Sequence, residues 1–475
     1  MYIKLGLFIN GKWKYNSEKY SDVINPADES ILGKLPHATK DDLQEAVESS
    51  SAGFKVWRDI SPEEKGDFLI KVAEKLKEKK DQMSKIMTLE QGKITLEASL
   101  EIDRAIDSFQ YNGEKAKKLG DYVVADRENG LKTLIKPHPV GVTLGLTAWN
   151  FPIILISRKL APALAAGCSM IIKPSEETPG TAVLLCKILE EAGLPKGVVN
   201  LVFGVPSEIS DFLFEKNEIR KVSFTGSVPV GKLLAQKAAS TLKRFTLELG
   251  GHSPAIIADD ANIDNTLDIL TGFKFRNAGQ VCIAPSRFFI HEKIYNQIAD
   301  GFTKRAKKLK LGNGLDEQTT MGPLSNDRRL SAMQDFVDDA IKKGANILTG
   351  GRRHGNSGYF WEPTVIENIS SDSDILNTEI FGPIIPLIKY KDINDAINES
   401  NKLNYGLASY VYTENNNLQQ KLAKEIDAGG VSINSAAPMF HDIAYGGLKE
   451  SGIGYEGGQE AIDSYLHKKN INIQN

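Results

Sequence analysis

Only three cysteines occur in 475 residues, at positions 168, 186 and 282. An odd number, widely spaced, gives neither a disulfide framework nor the paired spacing of a zinc site. A reducing compartment and no structural metal are therefore expected. No apolar run reaches the roughly 18 residues of a membrane span; the nearest, residues 160–172, is broken by Pro162 and Gly167. The opening Met1-Tyr2-Ile3-Lys4-Leu5 lacks the charged and then apolar regions of a secretory signal, so the cytoplasm is the expected location. An excess of either charge is also missing: 58 Lys and Arg stand against 61 Asp and Glu, a formal net charge of −3. That balance offers no electrostatic footprint for nucleic acid or an anionic membrane. Internal repeats and low-complexity tracts are absent as well.

What remains is the composition of a globular protein, 41% hydrophobic and 25% charged, long enough for about three domains. Asn10-Gly11 between Leu7-Phe8-Ile9 and Trp13 predicts a hairpin. Ser61-Pro62-Glu63-Glu64 supplies a helix N-cap, a first-turn proline and a capping-box carboxylate. Leu69, Val72, Ala73 and Leu76 then fall on one helical face. From Val140 onward strands and helices alternate: strands at 141–148, 169–173, 198–203 and 221–224, helices at 152–166, 180–192 and after Ser227. Short apolar strands between amphipathic helices predict an α/β fold with a parallel sheet covered on both faces. A second α/β block runs from Ser253 to about Gly447, and Glu128-Asn129-Gly130 marks a hairpin that interrupts the pattern.

Cys282 stands apart from the other two thiols because it is set among polar and glycine residues, in Phe275-Arg276-Asn277-Ala278-Gly279-Gln280-Val281-Cys282. Upstream, Leu247-Glu248-Leu249-Gly250-Gly251 offers a carboxylate and Thr147-Ala148-Trp149-Asn150-Phe151-Pro152 a side-chain amide. A thiol, a base and an oxyanion donor are what attack on a carbonyl and later hydrolysis of a thioester require. Cys168 and Cys186 lie in apolar surroundings and read as core. The run Gly452-Ile453-Gly454-Tyr455-Glu456-Gly457 fits the dinucleotide pattern Gly-x-Gly-x-x-Gly, yet no apolar strand leads into it, and it is set aside. A better phosphate site is Val222-Ser223-Phe224-Thr225-Gly226-Ser227, a strand ending in a Gly-Ser turn before a helix that carries Gly231. In Ile171-Ile172-Lys173-Pro174-Ser175-Glu176 a strand delivers a cation and an anion to the carboxyl edge of a sheet, where open α/β sheets bind ligands.

These segments resemble, nearly position for position, those of the NAD(P)-dependent aldehyde dehydrogenase superfamily, over almost the whole chain. The resemblance implies a Rossmann-type NAD-binding domain at 1–120 and 140–250, an α/β catalytic domain at 251–450, and a β-hairpin oligomerisation arm formed by 121–139 and 451–475. Cys282 would be the nucleophile, Glu248 the base of deacylation, and Asn150 the oxyanion donor with the Cys282 backbone N–H. Gly226, Ser227 and Gly231 would take the pyrophosphate. Lys173 and Glu176 would meet the adenosine ribose, with Ser175 between them in the cofactor set, and a carboxylate there favours NAD over NADP. Trp149 belongs to the same cofactor set, as do Glu379 and Phe381 of Glu379-Ile380-Phe381-Gly382-Pro383, at the nicotinamide end. A homodimer or homotetramer is expected.

Relatives that pass the acyl group to coenzyme A generally lack the glutamate, so water is the expected acceptor here. Ile156-Ser157-Arg158-Lys159 and Lys274-Phe275-Arg276-Asn277 resemble the succinate-semialdehyde dehydrogenase branch, where two arginines clamp a distal carboxylate. The loop 435–442 departs from that branch: Met439 and Phe440 make the expected pocket wall bulkier and more apolar, and a serine ligand is missing. Succinate semialdehyde is the first substrate to expect. Glutarate or 2-oxoglutarate semialdehyde and hydrophobic aldehydes stay open. So do a binding protein that kept the fold and lost the chemistry, and a thiol hydrolase pairing Cys282 with His252. What activates the Cys282 thiol is likewise open.

Overall fold

The computed structural model describes residues 2–126, 130–436 and 439–474. Its first sheet has eight strands, in the order 452–453, 244–248, 219–225, 142–146, 169–173, 199–201, 7–9 and 12–14. The five from 244–248 to 199–201 run parallel, and the outer ones pair antiparallel. Val142–Leu146 and Ser169–Lys173 are buried along their whole length, as strands covered on both faces must be. The strand order reverses direction about 142–146, which opens a crevice at the carboxyl ends. The expected hairpin at Asn10-Gly11 is present, with both residues at positive φ (53° and 70°) as a type I′ turn needs.

Helices flank this sheet. Pro62–Glu78 begins with the Ser61–Glu64 capping box and buries Leu69, Val72, Ala73 and Leu76. Thr95–Ala116 packs against it and against Ile154–Ala165, the helix that follows the first central strand. The rejected glycine-rich run serves as an edge: Gly452–Ile453 pairs antiparallel with Arg244–Glu248.

The second sheet has seven strands, ordered 346–349, 364–367, 384–390, 285–291, 253–257, 408–412 and 430–433, all parallel except the first. Its core is a separate apolar cluster around Phe288, Phe302, Trp361 and Tyr410. Two further sheets are small. Leu466–Gln474, Leu131–Pro139 and Tyr122–Asp126 form an antiparallel three-stranded ribbon, and Tyr20–Ile24 pairs with Ile31–Pro36. Of the hairpin signal Glu128-Asn129-Gly130, Glu128 and Asn129 lie outside the described residues. Gly458–Asp463, before Leu466, packs against Ile154–Ala165 as well as against the ribbon strand Leu466–Gln474. No helix among the described residues is long and apolar enough to cross a membrane.

Candidate active site

The two sheets face a common cavity of about 440 Å³. The first contributes loops at the carboxyl ends of its strands: Trp149 and Asn150 after 142–146, Gly226 and Ser227 after 219–225, Leu249 and Gly250 after 244–248. The second contributes segments that precede its strands: Cys282 before Pro285–His291, and Glu379 and Phe381 before Ile384–Tyr390. Arg158 and Arg276 also line it. Three expected cofactor residues, Lys173, Ser175 and Glu176, sit beyond its lining at the end of the neighbouring strand. There Lys173 and Glu176 form an ion pair with each other, and Ser175 Oγ accepts from the Glu177 N–H at 3.3 Å. Gly231 lies in the helix behind.

Cys282 is half-buried, whereas Cys168 and Cys186 are fully enclosed. Burial, with the nearby Glu379 and Glu248 carboxyls, pushes the Cys282 thiol up to about 12; Arg158 and the Tyr445 hydroxyl oppose this. Asn277, Ala278 and Gly279, just upstream, all hold positive φ (51°, 50° and 72°). Non-glycine residues there cost of order 1–3 kcal/mol each, so the surroundings must hold the turn. They do: Asn277 N–H donates to Glu97 at 3.0 Å, and its side-chain amide donates to the Asn150 carbonyl at 2.9 Å. A Cβ on Gly279 would stand 2.2 Å from the Gly382 carbonyl, so only glycine fits.

Asn150 is buried and tied down at both ends. Its amide donates one N–H to the Gln280 carbonyl at 3.0 Å, and its own carbonyl accepts from Lys93 Nζ at 2.9 Å. Lys93 in turn pairs with Glu101 at 2.6 Å, with both side chains almost fully buried. The other Glu101 oxygen accepts from the Ile153 and Ile154 N–H groups, at 2.9 and 3.2 Å, where the helix bearing Arg158 begins. This brace was not anticipated from the sequence. Lys93 precedes the helix Thr95–Ala116 that carries Glu101, so helical spacing does not join the two in the sequence.

Glu248 is buried, and among the described residues neither carboxylate oxygen has a hydrogen-bond partner. Burial raises its pKa well above the ordinary carboxylate range, helped by Glu456, while Lys159 and Arg158 pull it down. Lys159 and Glu456 form a buried ion pair, with Lys159 also donating to Thr225 Oγ1 at 2.7 Å. Glu456 thus has an electrostatic place in the site although it falls in the run set aside as a nucleotide fingerprint.

Arg276 lies over the rings of Phe273 and Phe151, at 4.9 and 5.4 Å. Arg158 touches Met439 Sδ at 3.8 Å and lies 5.7 Å from the Tyr445 ring. Among the described residues neither guanidinium has a carboxylate within ion-pair distance. Met439 lines the cavity as expected, but Phe440 does not: it is 40% exposed and turned toward Arg104. His252, the alternative thiol partner, is buried away from the cavity lining with Nδ1 on Ser286 Oγ at 2.9 Å. The hydrolase pairing therefore lacks its geometry.

A dinucleotide fits the remaining walls. Ser227 caps the helix Val228–Ala239 without a side-chain hydrogen bond, leaving first-turn N–H groups and the hydroxyl for an anion. Gly231 lets that helix approach, since a Cβ there would meet Leu249 at 2.5 Å. A Cβ on Gly250 would stand 2.3 Å from the Glu379 carboxylate and push it aside; that carboxyl accepts from the Gly251 N–H at 3.2 Å and is pushed up to about 7 by burial. Phe381, at positive φ (48°), meets Trp149 edge-on at 5.5 Å. Arg329, which no local sequence signal marks, donates to the carbonyls of Ile380 and Phe381 and holds that turn.

Comparison with known proteins gives one consistent match. The family model described as "Aldehyde dehydrogenase family" matches residues 13–471. A mitochondrial succinate-semialdehyde dehydrogenase of Oryza sativa subsp. japonica is 38% identical over 469 residues, 98% of this chain and 89% of that protein. The succinate-semialdehyde dehydrogenase (NADP(+)) GabD of Escherichia coli (strain K12) is 34% identical over 97% of this chain and 96% of its own. A glutarate-semialdehyde dehydrogenase of Pseudomonas putida is also 34% identical, over 98% and 97%. Among solved structures, a succinate-semialdehyde dehydrogenase from Burkholderia pseudomallei superposes with a TM-score of 0.97 at 34% identity, covering 99% of this chain and 98% of that one.

Proposed function

Because the chain belongs to the aldehyde dehydrogenase family, we propose that it oxidises an ω-carboxylated aldehyde to the acid through a covalent adduct on Cys282, succinate semialdehyde to succinate first among candidates. The observation that carries the substrate class is the pair Arg158 and Arg276. Both line the cavity of the nucleophile, and neither is paired with a carboxylate among the described residues. A guanidinium held against aromatic rings and sulfur is costly to bury without an anion, and a carboxylate completes it with two parallel hydrogen bonds.

The residues divide the chemistry as follows. The Cys282 thiolate adds to the carbonyl carbon, giving a tetrahedral thiohemiacetal. Asn150 has one N–H committed to Gln280 and one left for the oxyanion, and the Cys282 backbone N–H joins it. One such donor is worth about 10²–10³ in rate. NAD, when bound, supplies the hydride acceptor. Glu248 then takes a proton from the water that hydrolyses the thioester. Its raised pKa makes it a stronger base than an ordinary carboxylate, and Lys159 and Arg158 keep it ionisable. Glu176 favours NAD over NADP by repelling a 2′-phosphate, an effect tempered by its ion pair with Lys173. The three-stranded ribbon, with Tyr122, Val123 and Val124 about half exposed, is read as the arm that joins a second copy.

A longer ω-acid is the second reading, favoured by a cavity of about 440 Å³ and by the glutarate-semialdehyde relative. The test is an NAD-coupled assay of succinate semialdehyde, glutarate semialdehyde and butanal. Arg158→Ala and Arg276→Ala should raise KM for the acids roughly tenfold or more, the worth of a charge-assisted bond, and change butanal far less. An equal penalty on butanal would show that the arginines shape the fold and leave specificity to other groups. Glu176→Ala should raise kcat/KM with NADP relative to NAD; a wild type that already prefers NADP would remove Glu176 from the ribose.

A further inference from the structure

Beside the main cavity lies a second, smaller cleft between the helices Thr95–Ala116 and Ile154–Ala165 and the residues 439–441. Arg104, Ser108 and Asn112 form a polar stripe on the first helix at four-residue spacing, and Arg158 faces them from the second. Arg104 and Arg158 line both cavities, so the cleft branches from the space that holds Cys282.

Three observations mark it as a site. Arg104, like Arg158, has no carboxylate within ion-pair distance among the described residues; its guanidinium lies 5.5 Å from the exposed Phe440 ring. Asp107 stands 3.9 Å from His441 of the cleft wall, and Asp442 and Glu460 lie near Tyr111, which packs on the His441 ring. Asn112, only 5% exposed, donates to the Ser108 carbonyl at 2.8 Å, which fixes its orientation and leaves the buried Oδ1 with no partner among the described residues. A buried acceptor without a donor costs about 1–3 kcal/mol, and Asn112 is part of the cleft wall. The free interior is about 20 Å³, room for about one water, and Met439 Sδ occupies the Arg158 guanidinium at 3.8 Å. A thioether is a weak and adaptable neighbour for a cation, and an entering carboxylate would have to displace it.

We propose that this cleft is a second anion subsite. It takes the carboxylate of an aldehyde longer than succinate semialdehyde between Arg104 and Arg158, with a hydroxyl or amide N–H beside that carboxylate donating to Asn112 Oδ1. The inference rests on Arg158 facing substrate, as proposed above. It adds a specificity that the Arg158–Arg276 pair does not contain: length beyond four carbons, and a hydrogen-bond donor next to the acid.

The test compares kcat/KM for 6-oxohexanoate, 2-hydroxy-6-oxohexanoate, hexanal and succinate semialdehyde. Wild type should favour the hydroxylated acid over the plain one by about tenfold. Arg104→Met should lower both six-carbon acids about tenfold and hexanal much less. Asn112→Leu should remove only the hydroxyl advantage; because Asn112 is buried, the exposed Arg104 variant keeps the test decisive if Asn112→Leu folds poorly. Equal treatment of the two acids by wild type, or an equal loss on hexanal in Arg104→Met, overturns the subsite. Lactate serves as the probe for a free hydroxy acid. If it inhibits succinate semialdehyde noncompetitively, and Arg104→Met abolishes this, the same chemistry belongs to a separate ligand and the substrate tail is ruled out. If Arg158→Ala and Arg276→Ala fail to separate charged from neutral aldehydes, the underlying substrate reading falls. If they succeed while Arg104→Met does not, only the second subsite falls.

Discussion

Three thiols differ here by what surrounds them. Burial pushes Cys168 up to about 11 and, with the nearby Glu190 carboxylate, raises Cys186 further; neither lines the cavity. Cys282 is also raised, yet it shares a cavity with Asn150, Glu248 and Arg158. Cys282→Ala should abolish aldehyde oxidation, and the Cys168→Ala and Cys186→Ala proteins, where folded, should keep most of it. Activity surviving in Cys282→Ala would place the nucleophile elsewhere. Glu248 gives a second expectation, in time and in pH. A carboxyl raised well above its ordinary range is ionised only above that raised value, so deacylation speeds up as pH climbs through it. Glu248→Gln should therefore retain a pre-steady-state NADH burst, slow the following steady state by about 10²–10⁴, and flatten that pH dependence. Loss of the burst together with the steady state would move Glu248 to thiol activation.

Among the elements, strands and helices were legible in the sequence where periodicity and end signals agreed. Asn10-Gly11 specified its hairpin, Ser61 and Glu64 their cap, and the apolar runs at 142–146 and 169–173 their buried strands. That Cys282, Glu248 and Asn150 would share a cavity was legible for a different reason: thiol, carboxylate and amide each sit in a short run whose neighbours fit one chemistry. What holds them was not legible. Lys93 and Glu101 act on Asn150 and on the start of the Arg158 helix across about fifty residues of chain, and no local pattern announces such a contact. Phe440 was misplaced for a related reason, since composition says that a loop is bulky but not which way its ring turns. The brace makes a prediction of its own. Lys93→Met leaves Glu101 charged and buried, which costs about 3–5 kcal/mol, and frees the Asn150 carbonyl. The thermal midpoint should drop, and in the folded fraction the burst rate should fall more than KM changes. Lys93→Arg should recover part of both. A burst rate equal to wild type in a destabilised Lys93→Met protein would leave the pair a purely structural role.

At the scale of the whole molecule, the cavity is a seam. Asn150 and Glu248, the proposed oxyanion donor and base, come from the carboxyl ends of one sheet, and Cys282, the proposed nucleophile, from a turn that precedes a strand of the other. Each sheet has its own apolar cluster, so each can gain its strands and helices before the two meet. The Asn150–Asn277 and Asn150–Gln280 hydrogen bonds form only once they do. Catalytic competence is thus a late event, and turnover becomes a clock for docking. After dilution from denaturant, far-ultraviolet circular dichroism should recover first and aldehyde oxidation only later. Asn277→Ala, which unties one of the cross-seam bonds, should widen that interval while leaving the early spectral phase in place.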